Sequence, residues 1–455
     1  MNPNNSHIDR NDSAIDPQGA AAAETGRTLK QMGRAVKKNL NRQVQFMLNS
    51  CVNCGLCAES CHYYCATGDS DLIPANKFKK VHKILQTHFH PLKSRLPFLL
   101  KTDKFNEHLL TDLYKAAYEN CTLCGKCALT CPMGINTAEI LYLARAMLAA
   151  IGRLPSGLEK PVETFFKVGN YLDLTTADFI ETIEWFAEEM SDEIGEENFS
   201  IPIDKKNAEV LYIPHPLEVR DLPFLVMYAI KIFHFAGEDY TFSSHDFDTV
   251  NYAYYQGCKD NMMRIAQRML DARENLQAKH IALAPCGHGY RVMRWEVEKY
   301  LGKPFTFPPV QTIVELIDRY LRQGRIKLKK DTFAGPMTYH DPCNIARRGG
   351  VLQAPRNILQ ALTSTFVEMQ PRGARNYCCG GGLASTGDYG QLRITMGKKK
   401  AEQIRQTGAK VVVTNCFNCM TQIRDLNKAY ELNIEVKSIV ELVAESLNPN
   451  VATLG

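Results

Sequence analysis

Sixteen cysteines stand in this chain of 455 residues, and their spacing sorts them by chemistry. Four fall in Cys51-Val-Asn-Cys54-Gly-Leu-Cys57-Ala-Glu-Ser-Cys61 and four in Cys121-Thr-Leu-Cys124-Gly-Lys-Cys127-Ala-Leu-Thr-Cys131-Pro132. The pattern C-x2-C-x2-C-x3-C wraps a cube of four irons and four sulfides. Three closely spaced thiolates take three irons of one cluster, and the fourth, one helical turn on, reaches the other cluster. The spacing therefore predicts that Cys51, Cys54, Cys57 and Cys131 hold one [4Fe-4S] cluster. Cys121, Cys124, Cys127 and Cys61 hold the second. Gly55 and Gly125 let backbone N–H groups turn toward cluster sulfides. Zinc is the competing structural reading, but its sites usually pair two C-x2-C hooks, and two complete four-cysteine runs fit it poorly. The proline that usually follows the fourth cysteine is Pro132 in the second run and is replaced by His62 in the first. That proline shapes a turn and ligates nothing, so the assignment stands.

Five more cysteines form a spaced set: Cys343, then Cys378-Cys379-Gly380, then Cys416-Phe-Asn-Cys419. Thirty-four residues separate the first two members and thirty-six separate Cys379 from Cys416. Thiolates this far apart converge only where a fold brings strand ends together, which is where open α/β sheets place their sites. Adjacent cysteines diverge on an extended backbone, so they suit an irregular cluster or two neighbouring irons better than one regular cube. The run Gly380-Gly381-Gly382 permits close backbone approach. His340, Asp341, Tyr339 and His288 sit beside these cysteines and could relay protons or hydrogen-bond to sulfur. A purely structural role for each stays open. Arg347 and Arg348 could steer an anionic substrate, although a solvated loop is the plainer reading. Cys65, Cys258 and Cys286 are left over; Cys65 reads as a buried thiol.

These residues need a scaffold, and the texture of the chain supplies one. Residues 1–44 comprise a polar, flexible N-terminus and a basic amphipathic helix over 27–42, with Leu29, Met32, Val36 and Leu40 on one face. Residues 45–160 carry the cysteine runs, with an insertion at 66–118 that is basic from Lys77 to Lys104. Residues 161–206 form an acidic helical linker, with eleven Asp/Glu and no Lys or Arg between 173 and 204. Beyond about 207, short apolar runs (Val210–Ile213, Ile281–Ala284, Val411–Thr414) alternate with helical segments at 262–277, 310–322, 391–406 and 436–446, the alternation of an α/β sheet. The stretch 277–286 is similar to 407–416, and 211–216 to 338–343, an internal repeat that predicts two halves, 207–330 and 331–455. The fold class expected is α+β and multidomain: a mostly helical two-[4Fe-4S] ferredoxin-like domain followed by two α/β pseudo-repeats.

Composition excludes other classes. Hydrophobic residues make up 45% and charged residues 23%, ordinary for a soluble globular chain. The longest uninterrupted apolar stretch, Leu222–Ile230, has nine residues against the ~20 a membrane helix needs, so no transmembrane segment is expected. No secretory signal is visible, which favours a reducing compartment and metal ligands over disulfides. A net charge of +5 is too mild to argue for nucleic acid.

The second cysteine set resembles the CCG domain of heterodisulfide reductases. With the paired runs, the chain resembles the D-type component of heterodisulfide reductases, closest to the related components of the Dsr, Hmc and Tmc membrane redox complexes of sulfate reducers. The iron–sulfur subunits of glycolate oxidase and anaerobic glycerol-3-phosphate dehydrogenase share the layout. The likeness covers about residues 45–145 and 207–445. It implies a non-cubane [4Fe-4S] cluster that reduces disulfides, held by Cys343, Cys378, Cys379, Cys416 and Cys419; the place of His340 near Cys343 makes it the candidate catalytic residue beside them. The first half departs from the pattern, with Pro216 where Cys343 stands and Gly289 where Cys419 stands. Cys258 and Cys286 alone remain there, either flanking the site or as buried thiols.

The resemblance further implies an oxidoreductase subunit acting on sulfur groups, active within a complex. Its partners would be a membrane cytochrome b-type subunit and further redox subunits, and its substrate a DsrC-like protein or a small disulfide or trisulfide. It would lie on the cytoplasmic side, peripheral on the inner membrane face through those partners. The basic helix 27–42 and the insertion 77–104 are candidate docking surfaces. The alternative is an electron-relay subunit of a flavin-dependent glycolate, lactate or glycerol-3-phosphate dehydrogenase. The chain shows no dinucleotide fingerprint of its own. A structural adaptor, with clusters that only stabilise the fold, is the third class.

Overall fold

In the computed structural model, residues 17–89, 105–302, 310–385 and 390–448 are described. From Val210 onward the chain builds two four-stranded sheets. The first contains β1 (Val210–Ile213), β2 (Tyr240–Thr241), β3 (His280–Leu283) and β4 (Gln311–Thr312), in the order β2-β1-β3-β4. The second contains β5 (Met337–Tyr339), β6 (Phe366–Val367), β7 (Val411–Thr414) and β8 (Glu435–Ser438), in the order β6-β5-β7-β8. Every pairing is parallel. Parallel sheets are covered on both faces, so their strands are near-continuously apolar. Accordingly Leu211, Ile213, Leu283 and Val412 face one core, while Val210, Tyr212, Ala282, Met337, Tyr339, Val411 and Val413 face the other. Each sheet ends in the same capping box, Thr312 with Glu315 and Ser438 with Glu441.

Two sequence expectations need correction here. The segment 436–446 begins as strand β8 and turns helical only at Ile439. The repeat alignment of Cys286 with Cys416 holds for the helix N-caps, because each caps the helix that follows its strand. It fails for the strands. Val210 pairs His280 where Met337 pairs Val411, so the first half carries one extra residue between strand and cap. A tight turn at Ala284–Cys286 absorbs it.

The cysteine runs sit on a helical layer. Helix Thr137–Ala149 is almost wholly buried, as an element that is apolar all round must be. Helices Pro17–Asn39 and Pro74–His88 pack on it. The basic stretch 27–42 is therefore not one helix: it ends at Asn39, and Asn41 caps a second helix, Arg42–Ser50. Met32 and Val36 are buried, and Lys38 pairs with Asp260. Residues 90–104 of the basic insertion lie outside the described residues. The acidic stretch is more than a linker. Helix Thr176–Ile194 buries Phe179, Ile183, Phe186 and Met190 in the core of the sheets. Among the described residues, no helix is long and apolar enough to cross a membrane.

Candidate iron–sulfur centres

The two cysteine loops are conformational copies. Asn53 and Gly55 in the first, and Leu123 and Gly125 in the second, all lie at positive φ. Leu123 adopts this unfavourable conformation while fully buried. The result wraps each loop about a hollow and lets Leu123 N–H reach Cys121 Sγ at 3.4 Å. One hollow, of about 90 Å³, is lined by Cys51, Cys54, Cys57 and Cys131. It lies near the surface, with Cys54, Val52, Leu56 and Met133 exposed. The other, about 30 Å³, is lined by Cys61, Cys121, Cys124 and Cys127. Each hollow thus combines three cysteines of one run with the fourth of the other.

The second hollow lies among buried cations. Lys77 Nζ sits 3.5 Å from Cys61 Sγ and donates to Asn120 O at 2.8 Å. Arg145 donates to the carbonyls of Ala117, Tyr255 and Cys121 at 2.9, 2.8 and 2.7 Å. Arg291 reaches Leu123 O at 3.2 Å, and Arg347 reaches Cys124 O at 2.9 Å. Arg347 and Arg348 are therefore neither a solvated loop nor free to meet a substrate. They clamp the Cys121–Gly125 loop, with Arg348 packed against Gly125. Such charges offset the negative charge that ionised thiolates bring.

The third group forms at the carboxyl ends of β5 and β7. Cys343 follows β5, Cys416 caps helix Phe417–Tyr430 after β7, and Cys419 lies in that helix's first turn. Cys378 and Cys379 come in on the loop before helix Gly390–Thr407. The five sulfurs form a row of contacts: Cys343–Cys378–Cys379–Cys419–Cys416. Cys379 Sγ and Cys419 Sγ are 3.4 Å apart, and none of the five is in a disulfide. Hydrogen bonds shared along this row hold Cys379 and Cys416 below the ordinary thiol range and push Cys378 and Cys419 up. Four of the five are buried and Cys343 is half-buried, and such a row cannot ionise together without a multivalent cation.

Two buried histidines face this sulfur. His340 brings a ring nitrogen within 4.8 Å of the Cys379 and Cys419 sulfurs, and its Nδ1 lies 3.4 Å from Asn376 Nδ2. Asn376 Oδ1 accepts from Lys400 Nζ at 2.6 Å. Lys400 is fully buried, and burial lowers it to about 8. His62 brings a ring nitrogen within 4.8 Å of Cys124 and Cys378, one sulfur from each neighbouring group. Thr122 Oγ1 touches Cys378 Sγ at 3.6 Å. Both histidines leave a buried Nε2 with no hydrogen-bond partner among the described residues. Soft donors in sets of four or five, with orphaned imidazole nitrogens aimed at them, fit iron–sulfur groups.

The remaining candidates divide. Asp341 is locked by Arg356 at 3.0 and 2.9 Å, and Tyr339 donates to Asn415 Oδ1 at 2.6 Å, so neither is free to shuttle protons. His288 lies 3.4 Å from Asn418 Nδ2, and burial lowers it to about 4. Cys286 is buried, and the adjacent Gly287 packs against Cys416 Sγ. Cys258 instead lines a cleft beside Arg34 and Lys38. Cys65 is only half-buried and donates to Glu59 O at 3.2 Å, which corrects the buried-thiol reading. Sequence reasoning missed Lys77, Arg145, Arg291 and Lys400. Arg145 carried a signal, as the single basic residue of an otherwise largely apolar helix; Lys400, third in a run of lysines, carried none.

Two family models match the chain. A 4Fe-4S dicluster domain covers residues 47–135, and a cysteine-rich CCG domain covers residues 337–424. Among curated proteins, the chain is similar to the Hdr-like menaquinol oxidoreductase iron–sulfur subunit 2 of Archaeoglobus fulgidus. Identity is 25%, over 90% of this chain and 81% of the relative. It is similar to the D component of the dihydromethanophenazine:CoB–CoM heterodisulfide reductase of Methanosarcina barkeri, with 26% identity over 90% and 96%. It is also similar to the B component of the fumarate reductase (CoM/CoB) of Methanothermobacter marburgensis, with 25% identity over 71% and 60%.

Proposed function

Because the chain is an iron–sulfur protein like the D component of heterodisulfide reductase, with a 4Fe-4S dicluster domain and a CCG-site cluster, we propose that this oxidoreductase electron-transfer subunit passes electrons in single steps to or from a disulfide or trisulfide at its CCG site. In this reading Cys51, Cys54, Cys57 and Cys131 hold one cubane, and Cys61, Cys121, Cys124 and Cys127 hold the second. Cys343, Cys378, Cys379, Cys416 and Cys419 hold a non-cubane [4Fe-4S] cluster. Bound there, that cluster would supply an accessible iron with affinity for sulfur and one-electron redox chemistry.

The observation that carries this reading is the contact of Cys124 with Cys378. It joins the dicluster group to the CCG group by sulfur. The exposed rim at Cys54 offers a place for an electron donor or acceptor at the other end. The chain's own residues do the rest. His340, held by Asn376 and kept from charging by burial and the nearby Lys400, presents a ring nitrogen beside Cys379 to hydrogen-bond the leaving thiolate, and the buried Lys400, lowered to about 8, is the proton store behind it. Arg145, Arg291 and Arg347 keep the second cysteine loop rigid, and the buried setting excludes water from the CCG site.

The partners proposed are a membrane cytochrome b-type subunit with further redox subunits, on the inner face of the cytoplasmic membrane, and a DsrC-like protein or a small disulfide as substrate. The relative named as a fumarate reductase component favours a second reading, in which the chain only relays electrons for a separate dehydrogenase. The test is stoichiometric. Anaerobically reduced protein is mixed with a small organic disulfide or a protein-borne one, and reoxidation is followed at the cluster absorbance. Two electrons consumed per disulfide, abolished by Cys379→Ser, support disulfide chemistry. Reoxidation that proceeds equally in Cys379→Ser leaves only the relay.

A further inference from the structure

His62 and Pro132 occupy the same place in the two cysteine runs, immediately after the fourth cysteine. Their surroundings differ completely. Pro132 is exposed. His62 is 2% exposed, opens the short helix His62–Thr67, and packs on Tyr63 with the rings tilted and their centroids 4.6 Å apart. That helix packs on Gly390–Thr407, the helix that follows the CCG loop. Tyr63 and Leu72 share a small core with Leu383 and Met396 from the same part of the chain. The packing fixes the imidazole at a junction of the dicluster and CCG groups. A ring nitrogen lies within 4.8 Å of both Cys124 Sγ and Cys378 Sγ, and Nε2 has no other partner among the described residues.

A buried imidazole N–H without a partner costs free energy, and a helix that starts after cysteine takes proline readily. Histidine is therefore retained here at a cost that an exposed proline avoids. The sulfur pair is what it gains. We propose that His62 is a positioning residue for electron transfer between the second cubane and the CCG site, donating its ring N–H to the sulfur pair Cys124–Cys378. Such a hydrogen bond favours the more reduced, more negative state of the cluster whose thiolate receives it, and so raises that cluster's potential. It also holds the two sulfurs in register across the junction. The inference rests on the cluster assignment above, but not on the disulfide chemistry.

The test compares His62→Leu, which removes the donor, with His62→Gln, which keeps one. Iron per chain and midpoint potentials are measured by redox titration with electron paramagnetic resonance. The expected result is unchanged iron in both variants. In His62→Leu the midpoint of the second cubane moves to a more negative value and its magnetic interaction with the CCG cluster weakens. The first cubane keeps its potential, and His62→Gln falls between His62→Leu and the parent. Unchanged potentials in His62→Leu would overturn the role. Loss of one cluster's iron in both variants would overturn it too, because it would make His62 a ligand. If His62→Leu does not fold, protein labelled with nitrogen-15 at histidine decides. A weak nitrogen coupling to the reduced second cubane, lost in His62→Gln, supports the contact, and its absence rules the contact out. A potential shift without any disulfide-dependent reoxidation would sink the disulfide reading and leave His62's role standing.

Discussion

The two halves of the α/β region share one architecture and differ in what stands at the strand ends. Both sheets have the same strand order and the same capping box after the last strand. In the second half the strand ends carry five cysteines. In the first, Pro216 and Gly289 replace two of them, and the loops form a wall. Phe417, beside Cys416, packs on His215 with centroids 4.7 Å apart and hydrogen-bonds to Pro285 O at 3.1 Å. Gly287 lies against Cys416 Sγ. The degenerate half thus covers the site that the complete half builds. The converging strand ends are a property of the fold, while the ligand set is a separate choice made on top of it.

The sharpest break of this comparison is by ligand removal. Cys378→Ser should lose about one third of roughly twelve irons per chain, whereas Cys286→Ala in the covering half should lose none; metal analysis of anaerobically purified protein decides. Equal losses would give both halves a cluster role. The wall itself can be tested at Gly289. A Cβ there runs into the carbonyl oxygen of Thr249, so this half has no room to regain its missing cysteine. Gly289→Ala should destabilise by about 3 kcal/mol, read as a fall in midpoint in denaturant. A neutral result would mean that the first half is still open to a ligand.

These contrasts mark what the sequence made legible. Spacing alone named both cysteine runs, because their ligand spacing is a local property, while the ligand set Cys343, Cys378, Cys379, Cys416 and Cys419 was legible through its resemblance to the CCG domain. Four-residue apolar runs announced β1, β3 and β7, whereas β2, β4 and β6 have two residues each, too few for any period. The one-residue slip before Cys286 was hidden because helix caps and strand register disagree, and only the pairing reveals it. The buried cations were hardest. Arg347 and Arg348, half-buried, read as solvated because packing against a segment distant in the chain is a tertiary fact. Lys400 has no local signature at all.

Both halves grip the same cysteine loop, the first through Arg291 and the second through Arg347. Arg347→Lys and Arg291→Lys should each cost about 1–2 kcal/mol, because a lysine cannot reproduce the planar fork. Thermal melts would show whether the halves contribute comparably. A cost confined to Arg347 would make the first half a passive cover.

A pH-dependent effect is expected in the first half alone. Burial pushes the Glu218 carboxyl up to about 8 from its ordinary 4.5. A raised carboxyl favours the protonated folded state, so its stabilisation is complete below about pH 4.5 and is lost as pH rises through about 8. Glu218→Gln keeps the cap to His215 N–H, at 3.0 Å in the parent, without the titration. The parent should therefore lose stability relative to Glu218→Gln between about pH 5 and pH 8; parallel pH profiles would remove this difference between the halves.

The central claim is that the second half alone holds a cluster that meets sulfur substrates. Its most direct test is electron paramagnetic resonance of anaerobically purified protein after oxidation in the presence of a thiol. The account predicts a thiol-dependent paramagnetic signal that broadens with iron-57, on protein carrying about twelve irons. About eight irons and no such signal in fully loaded protein would contradict it and leave a two-cluster wire.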